Sequence, residues 1–173
     1  MKVIKKNKAL LAIMIILITP VIAAKLFVVN KWYQEGKTNK GILLTQDINY
    51  KKLNAVNSNQ GYWQIGYMLQ DNCNYICKNK IKILKNAIKA LGREQNRVKL
   101  TLLTNKKNPL NNSFKEQVIA INRNENIKQN NIFIIDPLGK FVLKYVFHNN
   151  NQLQESGNML KDLRKLMKLS KVG

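Results

Sequence analysis

The sequence predicts an α/β domain carried behind one N-terminal transmembrane helix. Three observations predict it. Residues Ala9 to Ala24 are almost wholly apolar, and Leu26-Phe-Val-Val29 extends the run past a single Lys25. Beyond residue 41, segments with period-two alternation are followed by segments with the 3.6-residue period of an amphipathic helix. The two cysteines of the chain, Cys73 and Cys77, fall where a strand pattern gives way to a helix pattern.

About 20 apolar residues are needed to cross a bilayer, so residues 9–29 suffice when the long Lys25 side chain reaches for the interface. Lys2, Lys5, Lys6 and Lys8 precede the run, and basic residues ahead of a first span favour a cytoplasmic N-terminus. In a bacterium the expected arrangement is single-pass in the inner membrane, with the C-terminal domain in the periplasm. Cleavage as a signal peptide is the competing reading. Ile22-Ala23-Ala24 is a poor small-x-small site because its first position is bulky, so an uncleaved anchor is expected. The boundaries that follow are a basic cytoplasmic segment 1–8, an anchor 9–29, a polar linker 30–40 and one domain 41–173.

With 30 Lys and Arg against 9 Asp and Glu, the net charge is +21. Such a balance raises nucleic acid as a partner, but that function calls for clustered Arg, stacking aromatics and a recognisable module. Here Lys is spread over every segment together with abundant Asn and Ile, the signature of an AT-rich coding bias. A solvated basic surface without a nucleic-acid partner is therefore expected.

The elements follow in order. Gly41 to Thr45 reads as a short strand, and Asn49 to Gln60 has no clear period. Residues 61–69 alternate, placing Trp63, Ile65, Tyr67 and Leu69 on one face. Tyr75 to Leu91 aligns Cys77, Ile81, Leu84, Ile88 and Leu91 along one helical stripe, and Gly92 follows as a stop. Arg97 to Thr104 alternates again. Asn105 to Asn112 is a loop, Ser113 to Ile121 is expected to be a short helix, and Asn124 to Asn131 is loop. Ile132 to Ile135 is a buried strand. Asp136-Pro-Leu-Gly139 is a turn, and Phe141 to Phe147 returns antiparallel. From Asn158 an amphipathic helix aligns Met159, Leu160, Leu163, Leu166 and Met167. Right-handed crossovers make the early strands parallel. From residue 61 onward the resulting order, β-α-β-α-β-β-α, is the thioredoxin-like arrangement, which keeps redox or metal-binding cysteines at the place of Cys73 and Cys77.

The spacing of the pair is Cys-x-x-x-Cys. Residues i and i+4 within a helix hold their Cβ atoms about 5–6 Å apart, whereas a disulfide wants about 3.8 Å. A disulfide therefore requires Cys73 to stand just before the helix. Two thiolates at the wider separation suit a soft ion, Cu(I) above all. The helix start and the nearby Lys78, Lys80 and Lys82 favour thiolate at both positions. Cys77 shares the apolar stripe and is expected to be shielded, while Cys73 is expected to meet a partner. A structural disulfide is the competing reading, although so short a loop stabilises little. His148, the sole histidine, stands after the 141–147 strand as a potential third metal ligand, but among three asparagines it reads more simply as a polar loop residue. Phosphate loops, Ser/His/Asp sets and zinc spacings are missing from the sequence.

These residues resemble a proteobacterial family of membrane-anchored, thioredoxin-like proteins linked to cytochrome c oxidase biogenesis, distant relatives of the Sco/SenC copper chaperones. The resemblance rests on Gly61-Tyr-Trp-Gln-Ile-Gly-Tyr67, on Cys73 and Cys77 followed by Leu84 and Ala90-Leu-Gly92, and on Ile134-Ile-Asp-Pro-Leu-Gly139. Tyr145 and the stretch Lys161-Asp-Leu-Arg-Lys-Leu-Met-Lys-Leu-Ser170 with Gly173 complete it. It implies a cytochrome c oxidase assembly factor acting through Cys73 and Cys77 on the copper site of subunit II, or with other assembly factors. The action would be copper delivery, as Cu(I), or thiol reduction. A general periplasmic thiol–disulfide oxidoreductase and a non-catalytic scaffold remain as alternatives. Two positions depart from Sco proteins: Lys78 stands where they have Pro, and Gln129-Asn-Asn131 spans the region where they carry a copper-ligating His.

Overall fold

A computed structural model describes residues 3–30, 38–106, 116–148 and 150–170. The chain divides into two compact units, Met1–Thr38 and Asn39–Gly173. Of the expected linker, residues 31–37 lie outside the described residues.

The first unit contains the helix α1 (Val3–Val29). Its stretch Lys8–Val29 has a mean hydropathy of 2.6 and is long and apolar enough to cross a membrane. The Thr19 hydroxyl donates to the Ile15 carbonyl at 2.6 Å, so the polar atom is satisfied within the helix.

The second unit runs β1 (Ile42–Leu43), β2 (Trp63–Met68), α2 (Tyr75–Lys89), a 3-10 turn (Gly92–Arg97), β3 (Val98–Thr104), β4 (Gln117–Ala120), β5 (Asn131–Ile135), β6 (Phe141–Val146) and α3 (Gln152–Leu169). The sheet order is β1-β6-β5-β2-β3-β4. β2 pairs in parallel with β3, and β3 with β4. β5 lies antiparallel to β2, β6 to β5, and β1 to β6. This is the mixed α/β sheet of a thioredoxin-like domain.

Both sheet faces are covered, which is why every position of β2 is buried. On one face Trp63, Ile65, Tyr67 and Leu69 pack with Cys77, Ile81 and Leu84 of α2 and with Met159, Leu163 and Met167 of α3. On the other, Met68, Leu103, Phe133 and Phe141 pack under Ile48, Tyr50, Leu53 and Ile127. Gln64 is wholly buried on that far side. Tyr50 and Thr101 hydroxyls donate to its Oε1 at 2.8 and 3.0 Å, and its amide donates to Asn57 Oδ1 at 2.9 Å.

Two elements differ from the sequence reading. The helix expected over Ser113 to Ile121 is not formed at its C-terminal end: 117–120 is β4, and 113–115 lie outside the described residues. Val118 and Ile119 are β-branched and pair with Leu102 and Leu103, so sheet extension wins over a weak helix pattern. The last helix begins at Gln152 rather than Asn158. The Asp136 turn forms as expected. Asp136 Oδ1 accepts the amides of Leu138 and Lys140 at 3.0 and 2.8 Å, and Gly139 takes φ +88°.

Candidate functional site

Cys73 stands outside α2 and Cys77 in its first turn. The residue between strand and helix that allows this is Asn74, the helix N-cap, with extended backbone (φ −77°, ψ −171°). Its side chain accepts the Cys77 amide at 3.1 Å, satisfying one of the free N–H groups of the helix start. The chain leaves β2, bends at Asn74, and brings the two Cα atoms to 5.1 Å. That separation is within disulfide range, and the two sulfurs are bonded to each other.

The sulfurs differ in surroundings. Cys77 is 1% exposed and belongs to the helix-side core, whereas Cys73 is half-buried and packs at the edge of that core. Tyr75 and Ile76, the apolar residues between them, point outward, with Tyr75 83% exposed. Lys106 donates to the Asp71 carbonyl at 2.7 Å, bringing a cation to the backbone just ahead of Cys73.

Lys80 departs from the surface role its charge suggests. It is 1% exposed, on the same buried face as Cys77 and one turn after it. Its ammonium donates to the Phe147 carbonyl at 2.9 Å and to Asn130 Oδ1 at 3.0 Å. The Tyr67 hydroxyl donates to the same Asn130 oxygen at 3.1 Å. Burial pushes the Tyr67 phenol up to about 12. Burial also pushes the Lys80 ammonium below its ordinary range, opposed by the negative charge of Glu155. Asn130 holds a left-handed backbone (φ +68°), which Asn tolerates better than most residues. Its amide donates to the Met68 carbonyl at 2.8 Å, pinning the loop before β5 to the end of β2.

His148 is directed to α3. Its amide and ring Nδ1 meet the Glu155 carboxylate at 2.6 and 2.8 Å, and the side chain is 74% exposed. Among the described residues no group of three or more His, Cys, Asp or Glu side chains is placed to hold a metal ion, so His148 is not grouped with the two sulfurs. The sequence reading missed Lys80, Asn130 and Tyr67 as a connected set. The available signal was Lys80 falling between Cys77 and Ile81 on an otherwise apolar stripe.

Residues 63–170 match the family model for the transmembrane-like, thioredoxin-like, C-terminal domain. The chain belongs to that family. No curated protein matches the sequence. Among solved structures, the chain is similar to copper-bound ScoI of Arabidopsis thaliana, with 16% identity over 72% of this chain and 98% of that one and a TM-score of 0.45. It is similar to copper-bound yeast Sco1, with 15% identity over 78% and 96% and a TM-score of 0.46. A third, BsSco, is described for a disulfide switch and as a member of the Sco family of cytochrome c oxidase assembly proteins. It shares 14% identity over 79% and 100%, with a TM-score of 0.43.

A copper site of two Cys and one His, as the resemblance implies for Sco proteins, does not fit the described residues of this chain. Asn130, in the region of the expected His, is instead occupied by the Lys80 ammonium. Reduction would leave two thiolates as donors, a set suited to Cu(I) and not to harder ions.

Proposed function

We propose that this protein is a membrane-anchored cytochrome c oxidase assembly factor that works by thiol–disulfide exchange at Cys73 and Cys77. The observation that carries the reading is the disulfide at a helix start, with one sulfur half-exposed and the other buried. A structural bridge in so short a loop would stabilise little, whereas a reactive pair needs this asymmetry. The link to the oxidase comes from the sequence resemblance. The domain would sit on the periplasmic side of a bacterial inner membrane, with the disulfide-prone copper-site cysteines of subunit II as its substrate.

In the reduced protein the Cys73 thiolate attacks a substrate disulfide, and one substrate sulfur leaves as thiolate. Cys77 then attacks the mixed disulfide at the Cys73 sulfur, releasing the second substrate thiolate and forming the Cys73–Cys77 bond. Two electrons pass to the substrate, and an external dithiol must restore the pair. Cu(I) is the second cargo that the two freed thiolates would accept.

The test is a trap. Reduced Cys77→Ser protein, mixed with the oxidised soluble domain of subunit II, should accumulate a mixed disulfide through Cys73, and Cys73→Ser should not. If neither variant forms an adduct while wild type leaves the substrate oxidised, the exchange reading fails.

A further inference from the structure

The molecule buries a cation one helical turn from a sulfur that reduction would free. Lys80 follows Cys77 by three residues on the buried face of α2. Residues so spaced have Cβ atoms about 5–6 Å apart. Helical side chains lean toward the N-terminus, so the Lys80 stem sets out in the direction of the turn that holds Cys77. The residue is 1% exposed, and the acceptors of its ammonium among the described residues, the Phe147 carbonyl and Asn130 Oδ1, are both neutral. Other ionisable groups around it are Tyr67 on β2, which donates to Asn130 rather than to Lys80, and Glu155 on α3, which is engaged by His148. In the disulfide state Lys80 is thus a buried charge with no bonded counter-ion among the described residues, an arrangement that costs free energy.

We propose that the Lys80 ammonium is the counter-charge for the Cys77 thiolate in the reduced protein, and that it thereby sets the reduction potential of the pair. This deepens the exchange reading above and rests on it. During reduction an external thiolate attacks Cys73 Sγ, the S–S bond breaks, and Cys77 leaves with the electron pair as a thiolate. No proton is required at that step, because Lys80 already supplies the positive charge. A second external thiol then releases Cys73, completing the two-electron reduction. Lys80 touches neither substrate nor reacting atoms in this scheme and is a positioning residue.

The experiment equilibrates the purified full chain in detergent with graded glutathione buffers and counts free thiols by alkylation and mass. A unit charge within about 10 Å at an effective dielectric near 20 changes an equilibrium more than tenfold. Lys80→Met should therefore make the pair at least about tenfold harder to reduce, a fall of about 30 mV. Lys80→Arg, which keeps the charge, should stay within about threefold of wild type. Asn130→Asp should shift the potential in the same direction as Lys80→Met. It leaves the lysine in place, neutralises it with a carboxylate of the same shape, and so serves if Lys80→Met fails to fold. A reversible pair whose potential is unmoved by Asn130→Asp, and by any folded Lys80→Met, overturns the role of Lys80. A wild-type pair that cannot be cycled reversibly overturns the exchange reading itself and this inference with it.

Discussion

Reducing the Cys73–Cys77 bond should leave the domain folded and only modestly less stable. The bridge spans a sequence separation of 4, and the chain-entropy relation gives about 2 kcal/mol for so short a loop, less than the roughly 3 kcal/mol of a 15-residue one. The helix start does not depend on the bridge, because the Asn74 side chain caps it through the Cys77 amide. A cap of this kind contributes about 1 kcal/mol in either redox state. At about 3 °C per kcal/mol for a domain of this size, the melting temperature should fall by at most about 6 °C, because pairing of Lys80 with the freed thiolate offsets part of the loss. Calorimetry of the oxidised and the dithiothreitol-reduced protein, with Cys73→Ser/Cys77→Ser as a second reduced form, reads this directly. A fall beyond about 12 °C, or loss of the cooperative transition on reduction, would mean that the bridge holds the fold together. The pair would then be a structural bridge and not a redox couple.

Four further outcomes are expected. In the reduced protein Cys73 should alkylate at least about tenfold faster than the buried Cys77, since reactivity follows access to the thiolate; equal rates in a mass-resolved time course would remove the assignment of roles. Asp162→Ala should cost about 3 kcal/mol in urea denaturation. The Asp162 Oδ2 accepts the Lys40 amide at 2.7 Å, the Gly41 amide at 2.8 Å and the buried Tyr145 hydroxyl at 2.7 Å, and bonds to a charged group are the expensive ones to lose. Tyr145→Phe, which removes one of the three, should cost about 1 kcal/mol, and a larger loss than Asp162→Ala would refute the accounting. Anaerobic titration should find Cu(I) bound by the reduced protein in a manner abolished by either Cys→Ser change and indifferent to His148→Ala, since His148 is held by Glu155; loss on His148→Ala would show a third ligand. Finally, a reporter fused after Gly173 should be active only if it works in the periplasm, and activity of a strictly cytoplasmic reporter would reverse the topology.

Much of the site could be read from residue order because it is local. Alternation over residues 61–69 and the stripe through Cys77, Ile81 and Leu84 each depend on neighbours within a few positions, and both reappear in the helix-side core. The condition for a disulfide, Cys73 ahead of the helix, is likewise a matter of one turn. What escaped depends on distance along the chain. Asp162 answers to Lys40 across a separation of 122 residues, and Lys80 answers to Phe147 across 67, so neither leaves a periodic trace. The burial of Lys80, named in the sequence only as a nearby positive charge, also escaped, because a long side chain can carry its charge to an interior acceptor. β4 escaped for a third reason: four residues are too few to display a period, and its pairing partner β3 is remote in sequence.

The sheet works as a bulkhead. The residues packed on its helix side, Cys77 among them, and those packed beneath Phe133 and Phe141 form two separate clusters. Energetic coupling fades between residues that share no partner. Changes at Ile119, Ile127 or Phe141 should thus alter how firmly the domain holds together while leaving the environment of the sulfurs as it was. The far compartment is where a lineage, or an engineer, can adjust durability without disturbing the redox chemistry next door.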